Sequence, residues 1–110
     1  MFIGKEGVTL MTEEEFKEIL DKEETDTVEF KSWINARNIK EIISLAVDEL
    51  IAFANTKGGT VYFGVEDKPI EVPGCDRNYD GQRIIEGIYD RTVPPLFTEI
   101  SDFEYQGKLV

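Results

Sequence analysis

The 110-residue chain has no histidine, one cysteine, and only 12 lysines and arginines against 23 aspartates and glutamates. Without histidine there is no imidazole general base and no histidine-ligated zinc site. A single cysteine, Cys75, excludes an internal disulfide framework and suits a reducing compartment, so a cytoplasmic location is expected. No run approaches the ~18 apolar residues of a membrane span. The opening Met1-Phe2-Ile3-Gly4-Lys5-Glu6 lacks the layout of a signal peptide, and no membrane partner is expected.

Bases are the scarcest functional material. A formal charge of −11 is the wrong sign for a generic DNA binder, whose affinity comes largely from lysine and arginine on phosphates. The acidity is unevenly spread. Residues 1–30 hold ten acids and three bases, whereas residues 31–110 hold thirteen acids and nine bases. The second part keeps Lys31, Arg37, Lys40, Lys57, Lys68, Arg77, Arg83 and Arg91, enough for a local basic face working against an unfavourable long-range field. At 41% hydrophobic and 11% aromatic, a chain of this length can close one core without staples.

The pattern of residues predicts an α+β fold. Thr12-Glu13-Glu14-Glu15 is a capping box opening a helix to about Lys22, with Phe16, Ile19 and Leu20 on one face. Asp26 to Ser32 alternates as a strand, placing Val28 and Phe30 on one side and Thr27, Glu29 and Lys31 on the other. After a loop over 33–38, apolar residues recur at helical spacing from Ile39 to Asn55, with Glu41, Asp48 and Glu49 expected outward. Gly58-Gly59 stops that helix, and Thr60 to Val65 reads as a central strand whose Gly64 implies a close approach. Glu66 to Pro69 should turn into a short strand at 70–72. Asp80 should cap a helix over 81–91 that Pro94-Pro95 ends, with Ile84, Ile85 and Ile88 inward. Phe97 to Glu104 reads as a strand and Tyr105 to Lys108 as a turn into another. The expected architecture is a mixed sheet packed against two main helices, with an additional N-terminal helix. Residues 1–22 form that helix and its lead-in, and residues 23–110 form the main domain. The strand starting at Leu109-Val110 suggests that the chain is a fragment of a longer protein.

Several of these pieces stand in a telling order: Glu24; Glu29-Phe30-Lys31-Ser32; Ala52-Phe53-Ala54-Asn55-Thr56; Gly58-Gly59-Thr60; and Gly64-Val65-Glu66-Asp67. Gly74 and Pro94 or Pro95 follow. Over about residues 22–110 this composite resembles the Schlafen AlbA-type domain, also called the divergent AAA domain. In bacteria such domains usually occupy the N-terminal part of transcriptional regulators or helicase-related proteins, often ahead of an ATPase-like region or a winged helix. The resemblance therefore implies a DNA-binding domain of a bacterial transcriptional regulator, with nucleic acid as partner, DNA ahead of RNA, and no cofactor needed for binding. In eukaryotic Schlafen proteins the related core cuts transfer-type RNA with two glutamates and one aspartate in a metal-dependent site. Those acids fall here on Glu24, Glu29 and Asp67.

The chemistry of these positions gives two accounts of each. Three carboxylates suit Mg²⁺ or Mn²⁺, hard cations that prefer oxygen, which can activate water in phosphodiester cleavage. Lys31, on the same side of its strand as Glu29, would then meet charge developing on phosphate. Glu24, Glu29, Asp67 and Lys31 are thus the catalytic candidates of a nuclease, the first three as its metal ligands. Equally, Glu29 and Lys31 read as exposed strand neighbours, and Asp67 as part of a turn. Lys31, Arg37, Lys57, Gly58 and Gly59 are the candidates for contact with a nucleic-acid backbone. The glycines read as a helix stop as well, and their spacing is not that of a P-loop. Trp33 reads as a base-stacking side chain or as packing, and Cys75 as inert. A third account makes the chain a protein-interaction or dimerisation module, with a homodimer as its assembly.

Overall fold

The computed structural model describes residues 1–4 and 11–110. Its centre is a four-stranded mixed sheet of β1 (Phe2–Gly4), β2 (Val28–Lys31), β3 (Thr60–Phe63) and a strand near the end of the chain, here β6 (Glu99–Ser101). The spatial order is β2-β3-β1-β6, so β2 and β6 are edges. Strands β2 and β3 run parallel, with Glu29 opposite Val61 and Lys31 opposite Phe63, while β1 is antiparallel to both its neighbours. Parallel neighbours need a crossover, and helix α2 (Ile39–Ala54) supplies it between β2 and β3. Two small hairpins complete the strands: β4 (Glu66–Asp67) with β5 (Ile70–Glu71), and β7 (Glu104–Tyr105) with β8 (Lys108–Leu109). Helices α1 (Glu13–Lys22) and α3 (Gly81–Arg91) make up the rest.

Strand alternation gives the sheet two apolar faces. Phe2, Phe30 and Tyr62 point to one side, where Phe16 of α1 packs 5.6 Å from Tyr62, 5.0 Å from Phe103 and 4.9 Å from Tyr105, ring to ring. Ile3, Val61 and Phe63 point to the other, where Ile42, Ala46, Leu50 and Phe53 of α2 and Ile84 and Ile88 of α3 close the main core. The caps on α1 and α3 are those expected, and Asn38, read as loop, adds one on α2. Thr12 and Glu15 form the reciprocal box on α1, and the Asn38 and Asp80 side chains accept the Glu41 and Arg83 N–H groups on α2 and α3. Ile85 is half-buried, less inward than Ile84 and Ile88.

Four local readings need correction. The N-terminal lead-in contains a strand, β1, which lies between β3 and β6; the remainder of the lead-in, 5–10, is outside the described residues. Strand β3 stops at Phe63 because Gly64 turns the backbone to a φ of +95°. Gly64 is where a close approach occurs: a Cβ there would sit 2.8 Å from the Gly74 carbonyl carbon, and the Gly74 N–H donates to the Gly64 carbonyl at 3.0 Å. Glu66 and Asp67 pair as β4, leaving Lys68-Pro69 as the turn. The expected 97–104 strand is broken, because after Ser101 the chain leaves β1 and Phe103 exchanges backbone hydrogen bonds with Val110 instead, at 2.9 and 3.0 Å. No helix among the described residues is long and apolar enough to cross a membrane.

Candidate functional site

The edge position of β2 organises the site. An edge strand leaves backbone N–H groups without a sheet partner, and the Phe30 N–H is taken by the carboxylate of Glu24, at 3.0 Å from Oε2. Glu24 follows Glu23, whose left-handed backbone (φ +60°) ends α1 and sends the chain back beside β2. Having turned in this way, the Glu24 carboxyl comes close enough to Glu29 and Asp67 for each to act on its ionisation. Asp67 arrives from the other direction. Hairpin β4–β5 follows β3 and is tied to the exit of β2, where the Ser32 hydroxyl donates to Glu66 at 2.8 Å. The three acids marked in the sequence are therefore neighbours, with Glu24 in the middle.

Lys31 completes the group. Its ammonium lies 3.6 Å from Glu29 and 3.2 Å from Glu49, each side chain about a quarter exposed. Glu49 belongs to α2 and corrects the expectation that it faces outward. It comes three residues after Ala46 and four before Phe53, on the row that faces the sheet, and that spacing is the sequence signal for it. Two carboxylates thus hold one ammonium, with the charge of Glu24 also acting on it.

Crowding sets the protonation of the group. Burial raises Glu29 most, reinforced by the hydrogen bond to Glu24 and the charges of Glu49 and Glu24, and Lys31 only partly offsets them; its pKa is pushed up to about 7. Burial pushes Glu24 upward too, but hydrogen bonds from Glu29, the Phe30 N–H and Asp67 outweigh it and hold Glu24 below its ordinary value. Asp67 is raised, first by its hydrogen bond to Glu24. Burial would lower Lys31, yet Glu49 and Glu29 keep it above the usual lysine range. Glu24 is thus the acid held ionised, and Glu29 the one that keeps its proton towards neutral pH. Divergent values among adjacent carboxyls are a mark of functional clusters, although structural networks produce them as well.

In donor chemistry the carboxylates match a hard divalent cation. In arrangement they do not: among the described residues, no three histidine, cysteine, aspartate or glutamate side chains are grouped so as to hold a metal ion. The hydrogen bond that fixes Glu24 is the one it accepts from the Phe30 N–H.

The basic candidates are not brought together. Lys31 borders the carboxylates, Arg37 follows the exit of β2 and pairs with Glu41 at 3.2 Å, and Lys57 pairs with Asp26, before the start of β2, at 3.0 Å. Each has an acid within salt-bridge distance. Gly58 has a φ of +86° and donates its N–H to the Phe53 carbonyl at 3.0 Å, while a Cβ on Gly59 would lie 2.6 Å from the Phe53 ring. Ending α2 and admitting Phe53 account for both glycines. Trp33 packs edge-on against Phe63 and Tyr79, at 6.4 and 6.0 Å between ring centres. Cys75 is half-buried and donates to the Leu109 carbonyl at 3.3 Å.

The stretch holding all these residues, 24–110, matches the family model described as Schlafen, AlbA_2. The chain belongs to the Schlafen AlbA_2 family. In this Schlafen AlbA_2 chain the match starts at Glu24 itself and takes in Glu29, Lys31, Glu49 and Asp67. Membership points to a nucleic-acid-related function. No solved structure matches the chain.

Proposed function

We propose that this chain is a nucleic-acid-binding domain, taking DNA ahead of RNA, and that it serves a cytoplasmic transcriptional regulator of a bacterium. The observation that carries the reading is family membership across residues 24–110. The contact surface is the β2 edge, with Lys31 at its exit, Arg37 beyond it, and Lys57-Gly58-Gly59 near its start. Arg37 and Lys57 are exposed and each holds one acid partner; such pairs are worth only ~0.2–1 kcal/mol, so a phosphate can displace them. Three phosphate contacts on duplex DNA correspond to a salt slope of about −2.7 in log K against log salt. Titrating labelled duplex and single-stranded oligonucleotides at low salt tests the reading. Saturable binding that a charge-reversed Arg37/Lys57 variant loses is expected; equal affinity of that variant would defeat it.

A second reading is favoured by one specific observation, that Glu24 reaches both Glu29 and Asp67. In it the domain is a ribonuclease, and these three acids, not grouped for a metal as they stand, would have to draw together to hold Mg²⁺ or Mn²⁺ with Lys31 facing the phosphate. The cation would supply an activated water and a counter-charge for the leaving oxygen. Because the Glu29 carboxyl is raised to about 7, cation binding below that pH must release its proton, and affinity should climb with pH. Structured RNA incubated with Mn²⁺ should be cleaved by the parent chain and spared by Glu29→Gln; equal cleavage by both rules this reading out.

A further inference from the structure

We infer that the ends of α2 and α3, with the 92–98 segment between them, form a docking surface for a basic, amphipathic helical segment of another protein. This surface is separate from the carboxylate site and meets the proposed nucleic-acid contact only at Gly58 and Gly59, at one end of its second cleft. Its first mark is exposed apolar surface. Val93 is 97% exposed and Phe97 73%, and Ile51 and Tyr89 are each 42% exposed. These are not scattered singles, because Tyr89 and Phe97 stack edge to face at 5.3 Å. Val93 and Ile51 also line one cleft with Ala54 and Leu96. Ala54 and Leu96 line a second cleft too, with Phe97 and Thr98, so the two are continuous. A connected apolar patch of this kind on a chain with 32% charged residues marks an interaction site.

The patch is preformed. The buried Thr92 hydroxyl donates to the Ile88 carbonyl at 2.9 Å and accepts the Leu96 N–H at 2.7 Å, fixing the segment that presents Val93 and Phe97. One polar group there is unsatisfied. The Thr98 hydroxyl, which lines the second cleft, is buried without a hydrogen-bond partner among the described residues. A buried hydroxyl left unpaired is costly, and a polar group on an inserted side chain would relieve it.

The kind of partner follows from charge. Among the described residues no charged side chain lines either cleft, so they offer a phosphate backbone nothing to neutralise it. The flanks are mainly acidic. Asp48 lies one turn before Ile51, Asp90 adjoins Tyr89, and Glu99 follows Thr98; of the two bases nearby, Lys57 is paired with Asp26 at 3.0 Å, and Arg91, its charge retained, is held against Ser44 at 2.8 Å. A second copy would set one acidic rim against another, each on a chain of charge −11. A helix with leucine or phenylalanine on one face and lysine or arginine at its margins complements both the clefts and the rim, by helix-in-groove docking.

The test uses two synthetic helical peptides with the same leucine and phenylalanine face, one with lysine margins and one with glutamate margins. Each is titrated into the ¹⁵N-labelled chain and followed by NMR. The lysine peptide should shift resonances over 50–55 and 89–98, bind at least tenfold tighter than the glutamate peptide, and lose tenfold in affinity to the Val93→Ser/Phe97→Ser variant. That variant should keep the oligonucleotide affinity of the parent chain, separating this surface from the nucleic-acid reading. No binding, equal binding of both peptides, or shifts centred elsewhere would overturn the inference. So would a dimer, seen by light scattering as concentration rises, that the double variant abolishes, since the occupant would then be a second copy.

Discussion

Replacing Glu29 with glutamine should make the protein more stable at pH 8 and leave it little changed at pH 5. The Glu29 carboxyl has its pKa raised from 4.5 to about 7, chiefly by burial and then by Glu24 and Glu49. A raised acid binds more protons folded than unfolded between those two values. Its contribution to folding is therefore intact below pH 4.5 and declines as pH climbs towards 7. Taken at face value, such a shift costs about 3 kcal/mol above the window. The side chain is a quarter exposed and titrates together with Glu24, whose pKa moves the other way. Solvent screening and that coupling reduce the figure to about 1–2 kcal/mol. Glutamine keeps the size of the side chain and a donor towards Glu24, and Lys31 keeps Glu49 at 3.2 Å. Urea unfolding followed by fluorescence of Trp33, the one tryptophan, at several pH values from 5 to 8 measures the effect. Met1's amino group, held below its usual value by burial, acts in the opposite sense towards pH 8. The readout is accordingly the difference between variant and parent, expected to grow by about 1–2 kcal/mol, or a few degrees in Tm. A difference that stays flat or falls with pH would refute the reasoning.

Other perturbations have equally definite outcomes. Glu49→Gln should cost no more than about 1 kcal/mol in stability, yet lower the titration midpoint of the Glu29 carboxyl followed by ¹³C NMR, because a like charge has gone. Gly64→Ala should destabilise by about 2–4 kcal/mol in urea unfolding, since the backbone has a φ of +95° and the new Cβ would strike Gly74. Phe16→Ala, at a wholly buried position among Tyr62, Phe103 and Tyr105, should cost about 3–5 kcal/mol in the same assay.

What could be read in the sequence depended on how local the cause was. Capping by Thr12 and Asp80 acts within one helical turn, so those helix starts stand in the residues themselves. The alternation that puts Phe30 on one side and Glu29 and Lys31 on the other is also local, and it assigns Lys31 and Glu29 to one group. Strand β1 is three residues long, and no period can be seen in so short a run; its place depends on pairing with Thr60–Tyr62 and Glu99–Ser101. The order of β2, β4 and the turn after α1 likewise decides whether Glu24 meets Asp67, 43 positions away in the numbering. Glu49 was legible in principle from its row on α2, but a charged residue beside Asp48 reads first as solvent-facing. The pairing of Lys57 with Asp26 and of Lys31 with Glu49 is tertiary throughout, and it reduces what a count of bases implies about phosphate binding.

The most direct measurement for the account is the affinity of a labelled DNA duplex for the parent chain and for Lys31→Ala, by fluorescence anisotropy at low salt and again with salt added. The account predicts saturable binding that weakens as salt is raised and falls about three- to tenfold on loss of Lys31, equivalent to roughly 0.7–1.4 kcal/mol. Absence of binding at low salt, or an affinity unchanged in Lys31→Ala, would contradict it.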